Sequence, residues 1–191
     1  MTVDVFLETE RLVLRRFTAD DVDALFELDS DPAVRRWVED GEPVSRADIA
    51  DVTIPAFLSY YERFEGYGFW AAVEKASGRF VGWFHFRPRP DDDPLGPELG
   101  YRLHPWAWGK GYGTEGSQAL IDKGFSELGV ERVYAETMAV NVASRRVMEK
   151  SGMRVVRTFH ADWPVRIPGD EHGDVEYAIT RDEWAAARAG S

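Results

Sequence analysis

The sequence predicts an α/β fold with a mixed, mostly antiparallel, twisted sheet that carries helices on both faces. From residue 98 to residue 152, strand and helix patterns alternate, and this order predicts a strand–helix–strand crossover. Ahead of residue 98, two strand-like runs are joined by only a tight turn, which is typical of antiparallel pairing. Helical periodicity in the first third of the chain predicts the further helices.

The first third of the chain contains one predicted strand followed by helices. Residues 11–17 alternate weakly and predict the strand, and Thr18-x-x-Asp21 then has the form of a capping box. Apolar positions at helical spacing follow over 22–29. A second helix is predicted over 45–64, and Pro55 predicts a kink or a split within it, because proline lacks the backbone hydrogen-bond donor.

The rest of the chain contains the other strands. Residues 68–75 and 79–87 predict two strands, and the second is apolar on both faces, as expected of a central strand. A loop rich in proline and aspartate is expected over 88–97. The last predicted elements are the strands 154–159 and 174–180 and the helix that begins at Arg181.

Composition and charge restrict the class of protein. The chain has 191 residues, 44% of them hydrophobic, which suits one domain over 1–191. It has no cysteine, no apolar run near the roughly 20 residues of a membrane span, and no signal-peptide pattern, so we expect a cytoplasmic protein without a membrane partner. A net charge of −11 argues against binding of nucleic acid and favours cationic partners such as amines. The alternative is that this charge serves only to keep the protein in solution. The four histidines show no metal-ligand spacing, and we expect no metal.

A glycine-rich turn follows the strand that begins at Glu98. Residues 108–113 read Trp-Gly-Lys-Gly-Tyr-Gly and lead into a helix pattern. The first N–H groups of a helix lack intrahelical partners, and glycines let a phosphate approach them closely. The turn therefore predicts a phosphate or pyrophosphate site, to which Lys110 adds a positive charge; a flexible helix start is the alternative.

Two classes of ligand would bring such a pyrophosphate. Gly111-x-Gly113-x-x-Gly116, with Glu136 at the end of the next strand, matches the dinucleotide-binding fingerprint. That fingerprint normally lies near the start of a domain and precedes several parallel strand–helix units, whereas here it lies late in the chain. The context argues against a dinucleotide and leaves coenzyme A as the other candidate.

Several motifs, taken in order, are similar to those of one enzyme superfamily. The motifs are Glu98-Leu99-Gly100-Tyr101, His104-Pro105, the turn over 108–115, Asn141-x-x-Ser144 and Glu149-Lys150-Ser151-Gly152-Met153, with Glu10-Arg11-Leu12-Val13-Leu14-Arg15 at the start and Tyr177-Ala178-Ile179 near the end. Over 98–152 they resemble the acyl-CoA-binding core of the GNAT superfamily of N-acyltransferases, and over nearly the whole chain its RimJ/RimL-type branch. The resemblance implies a GNAT-like fold and transfer of an acetyl group from acetyl-CoA to a primary amine in a ternary complex.

The resemblance also implies where acetyl-CoA binds. The acyl-pantetheine arm would lie between the strand from Glu98 and the next strand, and the pyrophosphate would lie on the glycine-rich turn. Most GNAT enzymes have arginine or glutamine where this chain has Trp108, but tryptophan is familiar there in the RimJ/RimL-type branch. The implied cofactor-binding residues are Leu103, His104, Trp108, Gly109, Lys110, Gly111, Tyr112, Gly113, Thr114 and Asn141.

Catalysis of this reaction would depend on three side chains. A protonated amine must lose a proton before it attacks the thioester. Glu98 is the first candidate for the base and His85 the second, with a structural carboxylate and a core histidine as the alternatives. Met148 occupies the position of the tyrosine that serves as acid in many GNAT enzymes, so Ser144 or a water would protonate the leaving thiolate.

The acceptor and the assembly stay open from sequence alone. The acceptor is expected to be the amine of a protein N-terminus or of a small molecule. Trp163 would cover it or contact a second copy of the chain in a homodimer. Two other classes of protein remain as alternatives, a dinucleotide-binding protein and a CoA-binding module without catalysis.

Overall fold

The computed structural model describes residues 4–37, 44–89, 93, 95–162 and 166–190, and Trp163 lies outside them. The strands are β1 (Val5–Glu8), β2 (Leu12–Arg16), β3 (Gly68–Glu74), β4 (Phe80–Arg87), β5 (Glu98–Leu103), β6 (Arg132–Met138), β7 (Arg154–Phe159) and β8 (Asp174–Thr180). The helices are α1 (Val22–Ser30), α2 (Pro32–Arg35), α3 (Arg46–Asp48), α4 (Ile54–Arg63), α5 (Tyr112–Glu127), α6 (Val142–Lys150) and α7 (Arg181–Ala189). None of the helices in these ranges is long and apolar enough to cross a membrane.

The eight strands form one sheet in the order β1-β2-β3-β4-β5-β6-β8-β7. Neighbouring strands are antiparallel except β5 and β6, which are parallel, so the predicted mixed and mostly antiparallel sheet is confirmed. The sequence pattern does not predict β1, because four partly exposed residues carry too little alternation.

Helices cover both faces of the sheet, as predicted. Neighbouring residues of a strand point to opposite faces. On β4, the ring of Phe84 lies so close to Gly116 of α5 that any side chain there would collide with it. The preceding residue of β4, Trp83, points to the other face and packs against Phe57 of α4 with ring centroids 6.2 Å apart. We call these two sides the α5 face and the α4 face, and each has its own hydrophobic cluster.

The helix predicted over 45–64 is split. A π-helical turn, Ile49–Thr53, separates α3 from α4. Pro55 lies in the first turn of α4, where a missing N–H costs no intrahelical bond. The capping box at Thr18 is confirmed, with Asp21 as its reciprocal partner.

The strands β5 and β6 separate from each other along their length. Their one paired position in the described structure is Glu98 with Tyr134, at the start of both strands. The strands therefore diverge toward their carboxyl ends, where α5 and α6 begin. We call this opening the crevice; it is bounded by residues 100–103, residues 136–138 and the starts of α5 and α6.

Candidate active site

The glycine-rich turn places the start of α5 at the open end of the crevice. Gly109 and Gly111 have φ angles of 71° and 87°, which are strained for any residue with a side chain. The first helical bond of α5 runs from the N–H of Glu115 to the carbonyl of Gly111. The N–H groups of residues 112–114 precede that bond, and such groups at a helix start are suited to binding an anion.

Arg11 holds this turn in place. Its Nε donates to Glu115 Oε2 at 2.7 Å, and its Nη1 donates to the carbonyl of Lys110 at 2.9 Å. The hydroxyl of Thr9 donates to Glu115 Oε1 at 2.6 Å. Burial raises the pKa of Glu115, but hydrogen bonds from Thr9 and Arg11 lower it by more, so the carboxylate is ionised. Arg11 and Glu115 therefore form an ion pair, and we call this contact the clamp. Sequence reasoning missed Arg11 in this role because its partner is 104 residues away.

The dinucleotide alternative is not favoured by this arrangement. Gly116, the last glycine of the fingerprint, serves close packing of α5 on Phe84. Glu136 accepts a hydrogen bond from Arg89 Nη2 at 2.6 Å. A dinucleotide domain needs several parallel strands in succession, whereas this sheet has one parallel pair.

The other residues predicted to bind the cofactor occupy different positions around the crevice. Trp108 Nε1 donates to the carbonyl of Leu103 at 2.8 Å, which ties the turn to the end of β5. Lys110 is exposed, with its ammonium 5.1 Å from the ring centre of Trp106. The ring of His104 is buried against Phe80, in the cluster of the α4 face, and burial lowers its pKa. The His104 side chain is thus turned away from the crevice.

Asn141 and Gly152 delimit α6. Asn141 Oδ1 accepts a hydrogen bond from the N–H of Ser144 at 3.2 Å, and Gly152 follows the helix with φ 84°. Ser144 lies in the first turn of α6, and Tyr101 Oη donates to its Oγ at 3.3 Å. Met148 is buried in the core. Alternation along β5 puts Tyr101 on the same face as Leu99 and Leu103, and alternation alone cannot show its bond to α6.

Glu98 lies at the start of β5 on the α4 face, beside two arginines and a histidine. Its carboxylate is 3.1 Å from Arg89 Nη2, 3.7 Å from Arg87 Nη2 and 3.8 Å from His85 Nε2. Burial raises the pKa of Glu98, but His85, Arg89 and Arg87 lower it by more. Glu98 is therefore an ionised and largely buried carboxylate.

His85 reaches across β5 because its partner there is glycine. In the antiparallel register His85 is opposite Gly100, and a side-chain carbon added at Gly100 would lie 2.5 Å from His85 Cε1. The imidazole thus fills the space that a side chain at position 100 would need. Burial lowers the pKa of His85 to about 4, so the ring is neutral at pH 7. Its buried Nε2 has no hydrogen-bond partner among the described residues.

A charged cleft of about 470 Å³ adjoins Glu98 on the α4 face. Arg89 links Glu98 to Glu136 at the cleft edge, and Arg157 links Glu136 to Glu176 farther across the sheet. Glu98 is thus the end of a row of carboxylates on adjacent strands, each paired with arginine. Within the described ranges, no group of three or more acidic or histidine side chains is arranged to hold a metal ion.

Comparison with known proteins identifies the family. Residues 11–154 match the family model described as an acetyltransferase (GNAT) domain. The FsC-acetyl coenzyme A-N(2)-transacetylase of Aspergillus fumigatus is 35% identical over 184 residues, which are 93% of this chain and 77% of that protein.

Solved structures have the same architecture. A GNAT-family acetyltransferase from Bacillus anthracis superposes with a TM-score of 0.72 at 26% identity, covering 92% of this chain and 98% of that one. An aminoglycoside acetyltransferase in complex with coenzyme A has the same fold, with a TM-score of 0.71 at 19% identity over 93% of this chain and 99% of that one. Acetyl-CoA is accordingly the cosubstrate. This chain belongs to the GNAT family of acyl-CoA-dependent N-acyltransferases.

Proposed function

We propose that this chain, as one N-acetyltransferase domain, moves an acetyl group from acetyl-CoA to a primary amine by direct attack in a ternary complex. The observation that carries the proposal is the crevice. The start of α5 lies at its open end and Ser144 lies at the start of α6, whereas the His85–Glu98 pair lies on the α4 face, at the end where β5 and β6 are still paired. A phosphate site and a protic side chain thus border the opening, and a proton acceptor lies beside the closed end of the same crevice.

The backbone of β5 supports the placement of the pantetheine arm. The N–H of His104, just after β5, donates to the carbonyl of Val81 in β4. Since N–H groups alternate sides along a strand, those of Tyr101 and Leu103 are directed toward the crevice. They are suited to the amides of the arm and to the oxyanion that forms when the amine attacks the thioester. The pyrophosphate then lies on residues 109–114.

The His85–Glu98 pair supports removal of the proton from the amine. His85 is neutral at pH 7, and its Nε2 is directed toward the ionised Glu98 at a distance of 3.8 Å. As the amine attacks, its nitrogen becomes positive and gives a proton to this pair, directly or through water. The tetrahedral intermediate then expels the CoA thiolate, which Ser144 protonates.

The charge of the chain bears on the class of acceptor. The net charge of −11 favours a cationic acceptor such as an amine, and the carboxylates beside Glu98 on this face are already paired with arginines. The relative from Aspergillus fumigatus is named for transfer to a nitrogen, N(2), of FsC. We assign this chain to the RimJ/RimL-type branch on its sequence motifs, with a small-molecule amine or a protein N-terminus as acceptor.

An assay of thiol release from acetyl-CoA tests the proposal. A panel of small amines and peptides with free N-termini should release coenzyme A thiol in step with acetylated product. Glu98→Gln should lower kcat by a factor of about 10² to 10⁴, the usual contribution of a general base. Glu136→Gln is the matched control, because Arg89 binds that carboxylate too, and it should stay within about threefold of wild type. Loss of activity in both variants alike would assign Glu98 to the charge network and not to catalysis.

A further inference from the structure

The hydroxyl of Tyr101 connects the two elements that bound the crevice. Tyr101 belongs to β5 and Ser144 to α6, and their hydroxyl oxygens are 3.3 Å apart. The Tyr101 ring packs on the α5 face beside Phe84, with centroids 5.7 Å apart, so its direction is set by the core. The ring and Ser144 are both only partly buried, and they lie on β5 and at the start of α6, the two elements that bound the crevice.

Helix α6 itself offers little other proton-donating chemistry at this point. Met148, one turn beyond Ser144, is 4% exposed and packs into the core, and its thioether has no proton to give. Arg145, next to Ser144, is engaged with the carbonyl of Ala139 and the hydroxyl of Tyr177. Ser144 is thus the protic side chain of α6 that meets the phenol of β5.

We propose that Tyr101 is a positioning residue that supplies a proton through Ser144 to the departing CoA thiolate. The inference rests on the proposed function. When the tetrahedral intermediate collapses, the carbon–sulfur bond breaks and its electron pair stays on sulfur. Sulfur takes the proton of Ser144 Oγ, and Oγ takes the proton of Tyr101 Oη. The tyrosinate is then reprotonated from solvent, which also receives the proton lost by the amine.

The protonation state of Tyr101 suits this role. Burial raises the pKa of its phenol, and the hydrogen bond to Ser144 offsets only part of that rise. The phenol therefore stays protonated at neutral pH and donates to Ser144, which leaves the serine proton free to point at sulfur. With phenylalanine at position 101, Ser144 would keep its own proton but lose the donor that orients it.

Steady-state kinetics of Tyr101→Phe test the relay. The variant keeps the ring and its packing, so KM for acetyl-CoA and for the amine should change by less than about threefold, whereas kcat should fall about 10- to 100-fold, within the range of acid catalysis. Ser144→Ala should lower kcat by a similar factor, and the double variant should be no slower than the slower single variant, because the two hydroxyls act in series. Tyr177→Phe is the control, since this phenol also contacts α6 but donates to Glu149 at 2.9 Å.

A titration of bound CoA supplies a readout that needs no acceptor. The ultraviolet absorbance of the CoA thiolate, followed against pH in the saturated complex, should show ionisation at lower pH with wild type than with Tyr101→Phe. A kcat within twofold of wild type, additive single and double variants, or identical thiol titrations would overturn the relay. If wild type acetylates no amine, the proposed function fails, and the titration still decides whether this hydroxyl pair reaches the sulfur.

Discussion

Gly100 is the residue on which the geometry of the candidate base depends. Its missing side chain lets the imidazole of His85 lie over β5, next to Glu98. We predict that Gly100→Ala displaces this imidazole, because the new carbon would lie 2.5 Å from His85 Cε1. Overpacking of this kind costs about 1–3 kcal/mol of stability. Chemical denaturation and the thiol-release assay should therefore show a less stable enzyme with a lower kcat.

Gly96→Ala is the matched control for this prediction. A side-chain carbon at Gly96 would meet only ordinary contacts at 3.7 Å and 3.9 Å, so stability and kcat should stay close to wild type. Unchanged kcat in Gly100→Ala would show that the position of the imidazole does not matter for proton removal.

The sequence identifies the reactive residue types but not the way they meet. Glu98 and His85 stand out as a carboxylate and a histidine within predicted strands. That His85 lies over Gly100 depends on the register of β4 and β5, which are separated by the loop 88–97, and the sequence pattern does not fix this register. The bond between Tyr101 and Ser144 likewise joins residues 43 positions apart, and local periodicity carries no information about it.

At the scale of elements, the start of α5 is the proposed site of the pyrophosphate, and Arg11 holds the turn that precedes it. We predict that Arg11→Ala loosens the glycine-rich turn, because the variant loses the bonds to Glu115 and to the carbonyl of Lys110. The dissociation constant for acetyl-CoA should rise about tenfold, equivalent to about 1.4 kcal/mol. Isothermal titration measures this change directly.

Arg46→Ala serves as the control for Arg11. Arg46 forms an exposed ion pair with Asp23 on the α4 face, away from α5, and exposed pairs contribute little because water screens them. Its acetyl-CoA affinity should match wild type. Equal affinities in both variants would mean that the turn keeps its shape without the clamp.

Element boundaries follow from the sequence where local chemistry sets them. Thr18 and Asn141 cap their helices through their own side chains, and Gly152 ends α6 in a conformation that favours glycine. The split between α3 and α4 is less predictable. Pro55 signals an interruption, but no local signal marks the π-helical turn that precedes it, whose Ile49 is buried in the hydrophobic cluster of the α4 face.

At the scale of the whole molecule, the burial of titratable side chains makes stability depend on pH. The pKa of His85 is about 4 in the folded protein against 6.5 when unperturbed, since burial disfavours the charged ring. Between these values the unfolded chain binds a proton that the folded chain does not. The free energy of unfolding is therefore not reduced by His85 above pH 6.5. It falls as the pH drops toward 4, by up to about 3 kcal/mol for this residue.

Denaturation at a series of pH values checks this dependence. His85→Gln removes the titrating ring, so its free energy of unfolding should fall less between pH 6.5 and 4.5 than that of wild type. Glu98, whose pKa is also lowered, contributes stability that is lost at still lower pH, below its ordinary range. Parallel curves for the two proteins would show that the ring is not buried in solution.

The central claim is that the crevice between β5 and β6 binds acetyl-CoA. Isothermal titration of the purified protein with acetyl-CoA, and with NAD and NADP in parallel, tests it most directly. We predict micromolar affinity for acetyl-CoA and no heat of binding with either dinucleotide. Binding of a dinucleotide without binding of acetyl-CoA would contradict the account and assign the glycines of the turn to a different cofactor.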